Sequence, residues 1–330
     1  MEKSIEGNKT PDLGIPVTLI TGFLGSGKTT LLNNILTNQD GIKTAVLVNE
    51  FGEIGIDNEL IVKTGEDIIE LTNGCICCTI NGELLDAINK ILDNNQDIEY
   101  LIIETTGLAD PLPVAMTINT AREILRLDSI ITLIDADNFD DNILNSQIAK
   151  SQILYGDILL INKCDLVSEN KLSFIQSKVS AIKNNPRILK TIRGKVPLPL
   201  ILSVGLFESD RIFKTKYKHD HDHDHDHDQL SIEGFTSFSF QSIHPFSLRK
   251  FQNFLDNQIP SSVFRAKGIL WFEESEITHI FHLSGKRFTM DNSDRDRIKI
   301  NKIVLIGKDL DHKALNEQLQ NCVVTSTIKN

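Results

Sequence analysis

Six short apolar runs separated by amphipathic stretches, a GFLGSGKTT segment at 22–30 between the first run and the first helical stretch, and a change of pattern after residue 230 predict the fold class. It is an α/β P-loop NTPase parallel sheet flanked by helices, followed by a smaller α+β C-terminal domain. Unbroken apolar runs suit strands buried on both faces, and parallel strands need helical crossovers between them. Residues 17–20, 44–48, 100–103, 129–134, 158–161 and 198–204 read as the strands. Stretches 29–38, 82–92 and 171–184 carry apolar residues at helical spacing. In the second half, 235–240, 268–272, 277–283 and 300–306 read as strands, and 248–256 and 312–320 as helices. The expected organisation is a flexible N-terminal segment at 1–14, a nucleotide domain at 15–210, a His/Asp-rich linker at 211–230 and an α+β domain at 231–330. A length of 330 residues suits two domains of this size.

The chain carries 34 basic against 45 acidic residues, a formal net charge of −11. That balance argues against non-specific binding to nucleic acid or to an anionic membrane, both of which need a positive field. No apolar run approaches the roughly 18 residues of a membrane span, and the polar N-terminus has no apolar core of a secretory signal. The expectation is therefore a soluble, cytoplasmic protein. Five of the nine histidines (His219, His221, His223, His225 and His227) alternate with aspartates over 219–228. Such a stretch cannot bury a core and reads as a solvated linker that collects cations.

In the 22–30 segment the glycines Gly22, Gly25 and Gly27, with Ser26, let backbone N–H groups wrap phosphates. Lys28 supplies a point charge at the β- and γ-phosphates, Thr29 offers a hydroxyl to Mg²⁺, and Thr30 continues the loop into the helix. Glu104, at the end of the third strand, faces the crevice where ligands of open α/β sheets bind and can hold a Mg²⁺-bound water. Gly107 lets its N–H approach the γ-phosphate. The segment NKCD at 162–165 follows the fifth strand. Asp165 can accept from guanine N1–H and N2–H, Lys163 can lay its stem over the purine, and Asn162 can contact the base edge or brace the loop. Three such elements in order on one sheet point to GTP. In place of a clean final base-binding loop the sequence offers LSVGL at 202–206.

Three of the five cysteines, Cys75, Cys77 and Cys78, crowd into NGCICC at 73–78. In a reducing compartment such crowding points to metal or redox chemistry. In an extended strand Cys75 and Cys77 would point the same way and could share one Zn²⁺, with Cys78 opposite. Two thiolates leave tetrahedral zinc short of ligands, and Glu50 is a candidate to complete the set. Cys164 and Cys322 read as buried small hydrophobes, Trp271 as core, and His244, His279, His282 and His312 as packing or surface residues.

The segments VTLITGFLGSGKTTLLNNIL (17–36), VNEFGEIGID (48–57), LTNGCICC (71–78), IIETTGLADP (102–111), INKCDL (161–166), RAKGILWF (265–272) and IVLIGKDLD (303–311), with the His-rich stretch, resemble the CobW family of P-loop GTPases, proposed metallochaperones that include zinc-handling members. The likeness covers nearly the whole chain. It implies a GTP-hydrolysing, metal-binding domain and a smaller C-terminal domain.

The spacing suggests a switch. Residues 48–57 and 104–110 would sense the γ-phosphate, GTP would bring Glu50 towards Cys75 and Cys77, and hydrolysis would release the metal to a client metalloprotein. With no arginine finger or water-orienting glutamine in the motifs, slow intrinsic turnover is expected. Zinc is the first choice of metal, with cobalt and nickel open. Two alternatives stay open: a passive metal store built on the thiols and the His/Asp block, and a GTPase that inserts cobalt into a cobalamin precursor or a cobalt enzyme. A homodimer stays open too.

Overall fold

A computed structural model describes residues 14–38, 42–48, 80–94, 97–202, 235–292 and 299–324. Six strands form one parallel sheet: β1 (Ile15–Gly22), β2 (Thr44–Val48), β3 (Tyr100–Glu104), β4 (Leu125–Asp135), β5 (Ile158–Asn162) and β6 (Ile188–Lys190). Their order is β2-β3-β1-β4-β5-β6. All five residues of β2, β3 and β5 are buried, as the unbroken apolar runs require.

Helices cover both faces. On one, α1 (Lys28–Asn38) buries Leu31, Leu32, Ile35 and Leu36 against Ile20, Val46, Ile102 and Leu133. On the other, α2 (Ile80–Asn94) and α3 (Pro111–Thr120) pack Leu84, Ile88, Ile91, Val114 and Ile118 on Val17, Leu19, Leu47 and Ile103. Around β5, α4 (Asp141–Asn145), α5 (Gln147–Tyr155) and α6 (Glu169–Ile182) close a third apolar cluster with Phe139, Ile153, Leu159, Ile161 and Ile175. The chain crosses from β1 towards β2 and from β4 towards β5. The sheet therefore has its switch point between β1 and β4, where open α/β sheets bind ligands at the carboxyl ends of their strands.

One strand expectation fails. Residues 198–204 do not supply the sixth strand; Ile188–Lys190 does, and Leu198–Ile201 forms a short helix, α7. Pro199 has no N–H for a ladder and sits in the first turn of the helix, where that loss is harmless, and Pro197 stands at its N-cap, so the apolar run turns instead of extending.

The second domain is an antiparallel sheet of β7 (Phe235–Ser242), β8 (Val263–Trp271), β9 (Thr278–Ser284), β10 (Arg287–Asn292) and β11 (Asn301–Lys308), in the order β10-β9-β8-β11-β7. One face packs on α8 (Leu248–Asn253), which runs on through a π-helical turn at Phe254–Gln258, and on α9 (His312–Cys322). Phe246, Phe251, Phe254, Phe272 and Phe281 fill the space between. Trp271 is not core: it is half-buried, with the Lys299 ammonium 5.3 Å from its ring centroid. Cys322 is buried and its thiol is pushed up to about 11 by burial, whereas Cys164 is only half-buried. His279 packs against Phe272 and bonds Ser275 Oγ at 3.0 Å, His312 lies against Phe238, and His244 is exposed.

Phe264 and Ile306 of the second sheet join the apolar cluster that contains α1 and α7. Arg265 of β8 is 1% exposed and grips both Asp128 oxygens, at 3.0 and 2.9 Å. It also donates to Ser129 Oγ, Leu200 O and Ile201 O. Asp128 accepts from Tyr100 Oη at 2.6 Å, and Tyr100 Oη meets Thr18 Oγ1 at 2.7 Å. A polar chain thus runs from the C-terminal sheet through β4 and β3 to β1.

Candidate nucleotide-binding site

Between β1 and α1 the loop turns sharply, and Gly25 and Gly27 take φ of +74° and +98°. A Cβ on Gly27 would stand 2.5 Å from Asn162 Nδ2, so only glycine allows that approach. Asn162 is 1% exposed, and its Nδ2 donates to Ser26 O at 2.9 Å while its Oδ1 accepts from Thr191 Oγ1 and Gly194 N. Of the two roles open for it in sequence, the structure has it bracing the loop. The segment beyond β6, Thr191 to Gly194, is therefore tied to the base-side loop. Of the 202–206 stretch singled out by sequence, 203–206 fall outside the described residues.

Lys28 is 8% exposed and folds over the loop, with its Nζ 3.4 Å from Phe23 O. Thr29 Oγ1 donates to Glu104 Oε1 at 3.0 Å, and Glu104 is 3% exposed. Register brings them together: Ile20 on β1 pairs with Glu104 at the end of β3. Gly25 and Thr30 are exposed, whereas Ser26 is buried and its N–H donates to Phe23 O. A Cβ on Gly107 would lie 2.6 Å from Leu24 N, so the loop after β3 rests directly on the phosphate-type loop.

Two residues that the motifs do not reveal hold these loops. Gln152 of α5, 2% exposed, donates to Gly107 O at 3.2 Å and Ala109 O at 3.1 Å. Asp135 ends β4 opposite Asn162 and accepts from Lys163 Nζ at 2.7 Å, Asn138 Nδ2 at 2.8 Å and Asp137 N at 3.0 Å. Burial would raise the Asp135 carboxyl, but the bonds from Lys163 and Asn138 outweigh it and hold it below its ordinary value. Lys163 takes φ of +62°, which turns its side chain back to Asp135 and leaves Asp165 exposed beside it. Sequence could have flagged Asp135 as a carboxylate ending an apolar strand; Gln152, mid-helix, carries no such mark.

Lys28, Thr29, Glu104, Gly107, Asn162 and Lys163 thus converge at the carboxyl edge of one sheet. Glu50, Cys75, Cys77, Cys78 and the histidines of 219–228 lie outside the described residues. Among the described residues no group of three or more His, Cys, Asp or Glu side chains is arranged to hold a metal ion.

Strand order, the loop on β1 and these contacts define the class: a P-loop nucleotide-binding protein with an appended antiparallel-sheet domain. The chain belongs to the CobW/HypB/UreG family, whose nucleotide-binding domain matches residues 16–190, while the cobalamin synthesis protein CobW C-terminal domain matches 235–323. It is 31% identical over 321 residues to zinc-regulated GTPase metalloprotein activator 1 of Dictyostelium discoideum, covering 84% of this chain and 67% of that one. It is 39% identical over 210 residues to the zinc chaperone YjiA of Escherichia coli, covering 61% and 65%. The chain thus spans about two thirds of the length of these relatives. The Zn(II)-bound YjiA GTPase of E. coli aligns over 94% of this chain and 99% of that one, at 25% identity and a TM-score of 0.44.

Proposed function

We propose that this chain is a GTP-hydrolysing metallochaperone that binds a divalent transition metal, zinc first, at Cys75 and Cys77 with Cys78 and Glu50 nearby. It would deliver that metal to a client metalloprotein under nucleotide control. The observation that carries the nucleotide half is the Thr29–Glu104 contact at 3.0 Å beneath the loop that holds Lys28. Relatives named zinc chaperone and zinc-regulated metalloprotein activator support the metal half.

Backbone N–H groups of 25–29 and the start of α1 would cradle the β-phosphate, with Lys28 moving from Phe23 O to the phosphate oxygens. Thr29 Oγ1 and the Glu104 carboxylate are hard oxygen donors at one point of the sheet edge, a set that fits Mg²⁺. Bound there, Mg²⁺ would neutralise phosphate charge. Gly107 N–H would approach the γ-phosphate. Asp165 accepts from guanine, and Lys163, anchored on Asp135, offers its stem to the purine face. Gln152 commits its amide to loop carbonyls, which supports slow intrinsic turnover. The reading carries a cytoplasmic location, no nucleic-acid or membrane partner, and the 219–228 histidines as accessory collectors. No helix among the described residues is long and apolar enough to cross a membrane.

The test is a competition zinc titration, repeated with cobalt and nickel, in GDP and in a non-hydrolysable GTP analogue. Wild type, Cys75→Ser/Cys77→Ser and a chain lacking 219–228 are compared. One tight, nucleotide-dependent site lost only in the thiol variant is the expected result. Equal affinity in both nucleotide states, or binding lost only with the histidine block, would replace transfer by storage.

A further inference from the structure

Each of the two sheets ends on two edge strands, and an edge strand offers its outer N–H and C=O groups to any chain that can pair with it. Folded proteins blunt such edges with charge, proline, bulges, short strands or a cover. Three of the four edges follow that rule. β2 is buried throughout, β6 is three residues long and carries Lys190, and β10 carries Arg287 and Asp291. β7 does not. Its eight residues, FTSFSFQS at Phe235–Ser242, include no charged residue and no proline. They pair with β11 residue for residue, from Phe235 opposite Lys308 to Ser242 opposite Asn301, without the register shift that interrupts β8 against β11. Thr236, Ser237, Ser239 and Gln241 are exposed, and among the described residues no backbone hydrogen bond joins β7 to any element but β11.

The order of its side chains says what pairs with it. Residue by residue, the chemistry of FTSFSFQSI at 235–243 is the same in both directions about Ser239. Alternation along a strand puts Phe235, Ser237, Ser239, Gln241 and Ile243 on one face, apolar at both ends and polar between. Thr236, Phe238, Phe240 and Ser242 take the other, polar at both ends and aromatic between. Two copies set antiparallel about a two-fold axis at Ser239 therefore match at every position. Ser237 of each falls opposite Gln241 of the other, and Thr236 opposite Ser242. Phe238 falls opposite Phe240, which continues the phenylalanine layer to which both belong. Phe235, half-buried, falls opposite Ile243, which at 69% is the most exposed large apolar side chain among the described residues. Charge points the same way. A chain of net charge −11 repels its own copy, and an uncharged strand brings none of that charge into contact, while it offers nothing that selects a charged partner.

We propose that β7 is a self-association edge, through which two copies of the chain pair antiparallel and join their second-domain sheets about a two-fold axis. The contact needs neither nucleotide nor metal. A strand pair is a small interface, so a dissociation constant on the order of 10 μM is expected. The full chain is kept in GDP with a zinc chelator and a thiol reductant, which removes bridges through cysteine or histidine. Its mass is followed by sedimentation equilibrium up to about 100 μM. Wild type should show a reversible monomer–dimer equilibrium, unchanged by a GTP analogue. Ser237→Lys/Ser239→Lys/Gln241→Lys and Ser237→Glu/Ser239→Glu/Gln241→Glu should each weaken the dimer at least tenfold, because like charges then meet at every pair on that face. General repulsion cannot explain the loss in the Lys variant, whose net negative charge is smaller. Mixing the two variants should restore association to within about threefold of wild type, because the pairs become opposite in sign. Ile243→Ser should also weaken it, and all variants should keep wild-type circular dichroism and GTP hydrolysis. A monomeric wild type leaves the edge to a strand of another protein, and triple variants that dimerise like wild type put the contact elsewhere. A mixture that fails to associate shows that the strand does not pair with its own copy. Any of these three results overturns the proposal.

Discussion

Asn162 shows how one side chain links two parts of the site. Its amide joins the Ser26 carbonyl to Thr191 and Gly194, so Asn162→Ala leaves three buried groups without partners. That change should lower stability by about 1–3 kcal/mol and weaken GTP-analogue binding at least tenfold, read by urea midpoint and analogue titration. Asp165, exposed on the neighbouring turn, should affect base choice alone. Asp165→Ala is expected to cut the preference for GTP over ATP by about 10–100-fold, as loss of a charge-assisted bond implies, in a competition assay. His282 predicts a pH dependence. Burial, then the nearby Arg126 and Lys267 charges, push its imidazole down to about 3. Below its ordinary 6.5 the unfolded chain takes a proton that the folded chain refuses. Stability is thus complete above about pH 6.5 and is lost as pH falls towards 3, by at most about 1.4 kcal/mol per pH unit. His282→Gln should lose less stability than wild type between pH 7.5 and 5.5 in phosphate-free urea melts.

At the scale of elements, the loop from β3 to α3 is held from three sides. Thr105 N bonds Ile20 O, Gln152 holds two carbonyls, and Asp110 caps α3 through Leu112 N while accepting from Ser151. Gln152→Leu removes the α5 anchor without touching the phosphate loop. It should slow single-turnover GTP hydrolysis about tenfold and leave GDP affinity within about threefold, consistent with a residue that positions the loop. The long elements were legible because apolar spacing reports local burial. α3 was not, since its apolar residues lie in a continuous run with prolines, and β10 is half-exposed, with only Phe288 and Met290 alternating among polar residues to mark it. The misplaced sixth strand has the same origin: composition favoured 198–204, whereas backbone chemistry at two prolines favoured a turn of helix.

Across the whole molecule, the Arg265–Asp128 pair is the main polar tie between the sheets, with both side chains at most 2% exposed. Arg265→Ala should cost about 3–5 kcal/mol, because it strands a buried carboxylate. Arg265→Met with Asp128→Asn should recover much of that loss in denaturant melts, because it removes both charges. Neither residue drew notice in the sequence beyond Arg265's place in RAKGILWF. What was legible in the order of residues was the alternation of strand and helix, the phosphate loop, the carboxylate at Glu104, the NKCD turn and the crowded thiols, because each depends on spacing along a few consecutive positions. The bracing role of Asn162, the hold of Gln152 on the Gly107 loop and the orphaned imidazole of His282 between two domains came only from the fold. The hydrogen-bond partners of Asn162 and Gln152 lie 29 to 136 residues away in the chain, and no local pattern encodes which distant groups the packing of the fold will bring within hydrogen-bond reach.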